Sequence, residues 1–217
     1  FENDYPNILK IMDDAGMPLR SADRSEKYPL ILGGGIAPTL NPEPLADFFD
    51  LFVLGEAEDI LPVFCRFFEA SRRLGQRREQ FLKDAQKQLH HVYVPGLYDV
   101  HYSPERKITS VVPREAGLPE KIKVEPVNDI NAFRTQEVIS ASCTEMEDMF
   151  LVEVNRGCAH GCRFCAASFI YRPVRFRGIE EMIGAIHDGL TRKNKIGLVG
   201  TAVSDHPDIP AVCRYII

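Results

Sequence analysis

The segment that decides the fold is Met149-Phe-Leu-Val-Glu-Val-Asn-Arg-Gly-Cys158-Ala-His-Gly-Cys162-Arg-Phe-Cys165, an apolar run followed closely by three cysteines. Residues 149–154 are apolar except for one glutamate, which is typical of a buried strand. The cysteines follow at the spacing C-x-x-x-C-x-x-C, so one short loop carries three thiols. Three thiolates can hold a four-iron cluster and leave its fourth iron open to an outside ligand. The spacing therefore predicts a metal-binding loop at which catalysis can occur.

Other uses of these cysteines need groups that the loop does not supply by itself. A structural zinc site has four ligands, usually in two separated pairs, so zinc would need a further ligand such as His160, Cys143 or Cys213. A cluster that only transfers electrons takes a fourth thiolate, and ferredoxin runs are more tightly spaced. Disulfide bonds belong to oxidising compartments, to which nothing in the sequence points. A zinc site and an electron-transfer cluster both stay open as alternatives.

The apolar strand, the Asn155-Arg-Gly157 that follows it, the three cysteines and Phe164 together resemble the cluster loop of radical S-adenosylmethionine (radical SAM) enzymes. The resemblance implies that Cys158, Cys162 and Cys165 ligate a four-iron four-sulfur (4Fe-4S) cluster, whose open iron is chelated by SAM. It also implies reductive cleavage of SAM to methionine and a 5′-deoxyadenosyl radical, and a reducing partner such as flavodoxin or ferredoxin. The resemblance assigns neither the substrate nor a catalytic residue.

Two further cofactor-binding parts are assigned on the same resemblance. Phe164 is expected to pack against the cluster as an apolar wall that limits water. Residues Gly200, Thr201 and Ala202 follow a second apolar strand, where radical SAM enzymes often carry a Gly-Gly-Glu-like turn whose backbone meets the amino group of SAM. Only Gly200 matches that pattern, and Ser204 and Asp205 nearby are less favoured candidates. A polar turn that caps the next helix is the alternative interpretation of this segment.

The N-terminal part alternates helical and strand patterns. A helix is predicted near residues 5–12, strands at 28–32 and 50–54, and helices that begin at Asn41 and near Asp59. Two strands joined by a helix predict a parallel pair. The motifs Gly-Gly-Gly, Asn-Pro-Glu-Pro-Leu-Ala and Gly-Glu-Ala-Glu, in that order, resemble the later half of a cobalamin-binding-like domain. Because the sequence lacks the Asp-x-His-x-x-Gly motif whose histidine ligates cobalt, cobalamin binding stays an open alternative.

The predicted fold class is α/β in three parts. Residues 1–72 are assigned to the C-terminal part of a Rossmann-like, cobalamin-binding-like domain. Residues 73–148 are assigned to a connector with an exposed charged helix at 74–90, a β-hairpin at 98–112 and an extended surface segment at 113–126. Residues 149–217 begin a radical SAM barrel, with an amphipathic helix at 179–190 and a strand at 195–199. The chain opens on Phe1 instead of methionine and closes within an apolar, helix-like stretch, so we expect a fragment truncated at both ends. Only 52 residues follow Cys165, whereas an αβ barrel needs about 200 residues or more, so we expect the fragment to be inactive alone.

Composition and charge exclude several classes of function. The chain has 217 residues, 45% hydrophobic residues and a formal net charge of −5, and no apolar run reaches the roughly 20 residues that span a bilayer. These features predict a cytoplasmic protein without a membrane or nucleic-acid partner. The arginines that follow the cysteine loop are expected on a solvated or cluster-proximal surface: Arg172, Arg175 and Arg177.

A methylthiotransferase that modifies tRNA or a ribosomal protein is a neighbouring alternative within the resemblance. Such enzymes carry a second cluster on three further cysteines. In this chain the remaining cysteines lie in separate segments, at Cys65, Cys143 and Cys213. The visible sequence therefore favours a radical SAM enzyme of unassigned reaction.

Overall fold

The computed structural model describes residues 2–124, 126–139 and 143–217. They form two compact units, Phe1–Glu125 and Pro126–Ile217. The division into three parts at 72 and 148 stays a prediction. Within the described ranges, no helix is long and apolar enough to cross a membrane.

The first unit combines short strands with helices. Its elements, in chain order, are α1 (Tyr5–Asp14), β1 (Leu32–Gly34), α2 (Ile36–Leu40), β2 (Leu51–Val53), α3 (Ala57–Arg73), α4 (Arg78–Gln88), β3 (Val92–Tyr93), β4 (Tyr98–Tyr102) and β5 (Ile108–Pro113). The strand order in its main sheet is β1-β2-β3, with β1 parallel to β2 and β3 antiparallel to β2. The predicted parallel pairing is therefore confirmed, but the first strand lies at Leu32–Gly34 and not at 28–32, because two of the three glycines are part of the strand.

Aromatic packing fills the core of this unit. Leu51 and Phe52 in β2 are fully buried, and the ring of Phe52 stacks against Phe49 at 5.1 Å and Tyr93 at 6.4 Å between centroids. Burial of such large rings supplies much of the stabilisation of a small sheet. The second sheet is the hairpin of β4 and β5, which confirms the predicted β-hairpin.

Two predictions for the first unit are wrong. The helix expected from Asn41 is only a single 3-10 turn at Glu43–Leu45. Asn41 itself is extended and ends the preceding α2, and its Oδ1 accepts from the Glu43 N–H at 3.1 Å. The charged helix expected to be exposed, α4, packs into the core through Phe81, which is 2% exposed. The apolar stripe of α4 is narrow, but the Phe81 ring packs edge-on against Phe64 and Phe68 of α3 and holds the helix against the core.

The second unit contains the cysteine loop. Its elements are β6 (Met149–Arg156), α5 (Ala167–Ile170), β7 (Arg175–Phe176), α6 (Ile179–Leu190), β8 (Lys195–Gly200) and α7 (Ile209–Ile216). The strand order is β7-β6-β8, with β6 parallel to β8 and antiparallel to β7. Alternate residues of β6 pack against α6 and α7 in a core made of Phe150, Val152, Val154, Met182, Ile186 and Val212. The predicted strands and the predicted amphipathic helix at 179–190 are confirmed.

Arginines bind part of the predicted connector to this unit. Arg175 Nη1 donates to the carbonyl of Val127 at 2.6 Å, and Arg177 Nη1 donates to the carbonyls of Ile130 and Phe133, both at 2.7 Å. Arg175 and Arg177 are 8% and 4% exposed, so the prediction that they lie on a solvated surface is wrong. The physical reason is that residues 127–135, which we call the strap, pair few of their carbonyls in strands or helices, and guanidinium groups supply several donors at once.

Candidate metal-binding site

The cysteine loop and the predicted SAM turn lie at the same edge of the sheet. Parallel strands present their carboxyl ends at one edge, which is where α/β folds commonly place ligands. The loop leaves the end of β6 and residues 200–202 leave the end of β8; Asn155 and Gly200 pair in the register of the two strands. The topology therefore brings together two segments that the sequence separates.

A glycine is required where the loop begins. Gly157 has φ of +78°, a region that favours glycine. A Cβ at this position would lie 2.2 Å from the carbonyl oxygen of Tyr171 and 2.9 Å from that of Pro173. The backbone of residues 171–173 therefore passes directly beside the loop, and only glycine lets the chain turn into Cys158 at this distance.

The three predicted ligands differ in exposure. Cys158 is 8% exposed and its Sγ accepts from the His160 backbone N–H at 3.4 Å; Cys162 is exposed and Cys165 is half-buried. The Cys165 N–H donates to the carbonyl of Cys162 at 3.1 Å, and Ser168 Oγ donates to the carbonyl of Cys165 at 2.9 Å. All three thiols are free. The described residues contain no group of three His, Cys, Asp or Glu side chains gathered in metal-binding geometry.

The residues of this loop fit an iron-sulfur cluster by their chemistry. Thiolates are the usual ligands of iron in such clusters, and N–H donors to the ligand sulfurs are one of the means by which proteins tune them. Cys158 already accepts such a bond. The role of the three cysteines as ligands stays a prediction, as does the role of the other assigned cofactor-binding residues.

Phe164 lies on the surface. It is 93% exposed, so within this chain its ring is not packed as a wall. Phe169, five positions later in α5, is 56% exposed and has the Arg172 guanidinium 5.1 Å from its ring centroid. The loop therefore presents two aromatic rings outward, where a ring such as Phe164 is free to pack against a group that the chain binds.

Asn155 links the two segments of the site. It is 1% exposed, and its Nδ2 donates to the carbonyl of Gly157 at 3.1 Å. Its Oδ1 is buried without a hydrogen-bond partner in the structure and would lie 2.0 Å from a Cβ on Gly200. Sequence reasoning assigned Asn155 no role of its own. The available signal was a polar residue directly after the apolar alternation of the strand.

A second link across the edge joins His160 to Asp205. The Nε2 atom of His160 lies 2.7 Å from Oδ2 of Asp205, although 45 positions separate them in the chain. Asp205 ends a 3-10 turn, Val203–Asp205, that follows the predicted SAM turn. Neither spacing nor composition signals this pair, because it depends on how the two loops meet.

An ionic network lies on β6 before the loop. Glu153 Oε1 accepts from Arg156 Nε at 2.6 Å, and its Oε2 accepts from Arg177 Nη2 at 2.6 Å. Burial raises the pKa of Glu153, but the hydrogen bonds and charges of the two arginines outweigh burial and hold the pKa below its usual range. The carboxylate is therefore ionised at neutral pH and serves to fix the strap and β7.

Comparison with known proteins gives evidence that does not depend on the cysteine loop. Residues 1–95 match a family model described as radical SAM proteins, N-terminal. An uncharacterized protein of Methanocaldococcus jannaschii is 27% identical over 221 residues, which cover all of this chain and 40% of that relative. No solved structure matches the chain. Because the matched residues end well before Cys158, the family match independently supports a place for this chain in the radical SAM superfamily.

Proposed function

We propose that this chain is part of a radical SAM enzyme that binds a 4Fe-4S cluster through Cys158, Cys162 and Cys165. The observation that carries the proposal is the position of three free thiols on one loop, at the carboxyl edge of a parallel strand pair. The independent match of residues 1–95 to a radical SAM N-terminal family adds support. These three thiolates would hold the cluster, which when bound would supply the electron for reductive cleavage of SAM.

The residues of this chain are proposed to orient the cysteine loop, to contact SAM and to shield the cluster from water. Gly157 and Asn155 set the direction in which the loop leaves β6, through the close approach to Tyr171 and the bond from Nδ2 to the Gly157 carbonyl. Backbone groups of residues 200–202 are proposed to meet the amino group of SAM, since they follow the neighbouring parallel strand. Phe164 is proposed to close over the cluster once it is bound, which would bury a ring that is now exposed.

The finer assignments of fold belong to the same proposal. We propose that the sheet of the first unit belongs to a Rossmann-like domain and that β6, α6 and β8 begin a partial barrel; each contains a parallel pair. The chain spans about 40% of the length of the relative from Methanocaldococcus jannaschii. The substrate and the reducing partner, for which we propose flavodoxin or ferredoxin, concern the whole protein. Cobalamin is no part of the proposal, because the sequence lacks its histidine motif.

The proposal is tested by iron analysis and electron paramagnetic resonance on anaerobically reconstituted protein. Alanine at Cys158, Cys162 or Cys165 should each remove most bound iron, because three thiolates are the minimum for such a site. Alanine at Cys65 or Cys143 provides the matched control and should leave the iron in place. In the reduced wild-type protein, added SAM should shift the signal of the cluster.

Other outcomes would favour the alternative functions. A four-iron signal that ignores SAM would favour an electron carrier. Stoichiometric zinc without iron would favour a structural metal site. Full iron in all three single variants of the loop cysteines would contradict the ligand assignment itself.

A further inference from the structure

We propose that the bond between His160 and Asp205 positions the cluster loop so that the His160 N–H donates to the Cys158 thiolate and raises the reduction potential of the cluster. The inference rests on the proposed function, since it concerns the cluster that Cys158 would help to hold. Asp205 acts through His160 and is a positioning residue. We call the bond between these two side chains the loop latch.

The loop latch and the bond to sulfur involve the same residue. His160 stands two positions from both Cys158 and Cys162. Its ring nitrogen Nε2 lies 2.7 Å from Asp205 Oδ2, and its backbone N–H donates to Cys158 Sγ at 3.4 Å. The glycine that follows, Gly161, has open space around it and restrains the loop little. The side chain of His160 is therefore the part of this residue that is tied to another element, and it fixes where the N–H points.

Asp205 can serve as an anchor because the next residue, at the end of the same turn, is hydrogen-bonded to other elements of the second unit. The next residue, His206, is 2% exposed. Its Nε2 lies 2.8 Å from the carbonyl oxygen of Arg177, and its Nδ1 accepts from the Asp208 N–H at 3.0 Å. These bonds attach the turn to the end of β7 and to the start of α7. The cluster loop is thus linked, through Asp205 and this turn, to residues beside β7 and α7.

Two effects of Asp205 on the potential have opposite signs, which allows them to be separated. A donor to a ligand sulfur stabilises the extra negative charge of the reduced cluster and raises the potential. The negative charge of Asp205 itself opposes reduction and lowers the potential. Replacing Asp205 by Asn removes the charge but keeps an oxygen that accepts from His160. Replacing Asp205 by Ala removes both.

The experiment is a redox titration followed by electron paramagnetic resonance on the reconstituted protein. We expect Asp205→Asn to give a potential at or above that of the wild type and Asp205→Ala to give a potential below that of Asp205→Asn, with equal iron content. Asp208→Ala removes the same charge from the same segment outside the loop latch and should titrate close to the wild type. His160→Ala opens the loop latch while the Asp205 charge stays, and should titrate below the wild type.

The outcomes separate this inference from the proposed function. Equal potentials in Asp205→Asn and Asp205→Ala, or an unchanged potential in His160→Ala, would overturn the loop latch and leave the cluster assignment intact. Wild-type protein that binds no iron under reconstitution would instead refute the proposed function, and the inference with it. If Asp205→Ala lost its iron, the comparison of His160→Ala with the wild type would decide.

Discussion

Replacing the buried Arg177 by Met should destabilise the second unit more than any comparable change at its surface. The Arg177 side chain is 4% exposed and donates to two carbonyls, to Thr135 Oγ1 at 3.0 Å and to Glu153 Oε2 at 2.6 Å. Methionine keeps most of the apolar stem and removes every one of these bonds. The variant therefore tests whether the strap is held by hydrogen bonds rather than by packing.

The size of the effect follows from the partners that are left behind. Removing one partner of a buried ion pair costs about 3–5 kcal/mol, because the other charge stays buried. Arg156 still neutralises Glu153, which reduces this term. Against that, the carbonyl of Phe133 loses the Arg177 donor, at about 1–3 kcal/mol if it stays buried, and the carbonyl of Ile130 keeps only the Phe133 N–H at 3.4 Å. We therefore expect a loss of about 4 kcal/mol in the free energy of unfolding of this unit.

The assay must report the second unit separately from the first. Hydrogen exchange of peptides from β6, measured by mass spectrometry across a urea series, meets this need. A loss of 4 kcal/mol lowers the urea midpoint by about 2 M at a slope of about 2 kcal/mol per molar. Arg172→Met, an exposed arginine in the same segment, is the matched control and should shift the midpoint little. If both variants lost less than about 1 kcal/mol, the argument from buried hydrogen bonds would be refuted.

Two further predictions concern the loop and the ionic network. Gly157→Ala should destabilise the second unit and lower its iron uptake, because the added Cβ would meet the carbonyl of Tyr171. Gly161→Ala is the control: the space around Gly161 is open, so neither stability nor iron uptake should change. Thermal unfolding and iron analysis measure the two effects, and a Gly157→Ala variant that behaved like the control would contradict the close approach. Since the folded pKa of Glu153 lies below the unfolded value of about 4.3, its contribution to stability is complete at neutral pH and is lost as the pH falls through the folded pKa. Urea midpoints between pH 7 and pH 3 should therefore fall more steeply in the wild type than in Glu153→Gln, and parallel curves would exclude this carboxylate as the cause.

The parts of the fold that sequence predicts correctly are those governed by local periodicity. The alternation of β6 and the helical stripe of α6 each repeat over many residues, so the buried face is fixed before any partner is known. The prediction that α4 is exposed was wrong because it relied on the average polarity of the helix, whereas one aromatic residue, Phe81, is buried in the core. The prediction that Arg175 and Arg177 lie on the surface was wrong for a related reason. Their partners are carbonyls more than forty positions away, and no local pattern reveals an acceptor of that kind.

The candidate site also combines features that a local pattern predicts with features that depend on long-range contacts. The cysteine spacing is local and could be recognised, but the contribution of Asn155 and the loop latch exist only because β6 and β8 are parallel and end at one edge. That edge brings a thiol loop next to a turn that starts 35 or more positions later, and it places a buried polar side chain between them. In a site of this kind the spacing of the cysteines in the sequence identifies the candidate ligands, whereas the groups that orient them can be identified only once the strand topology is known. The residues most worth changing next are therefore Asn155, His160 and Asp205, whose contacts no spacing rule reveals.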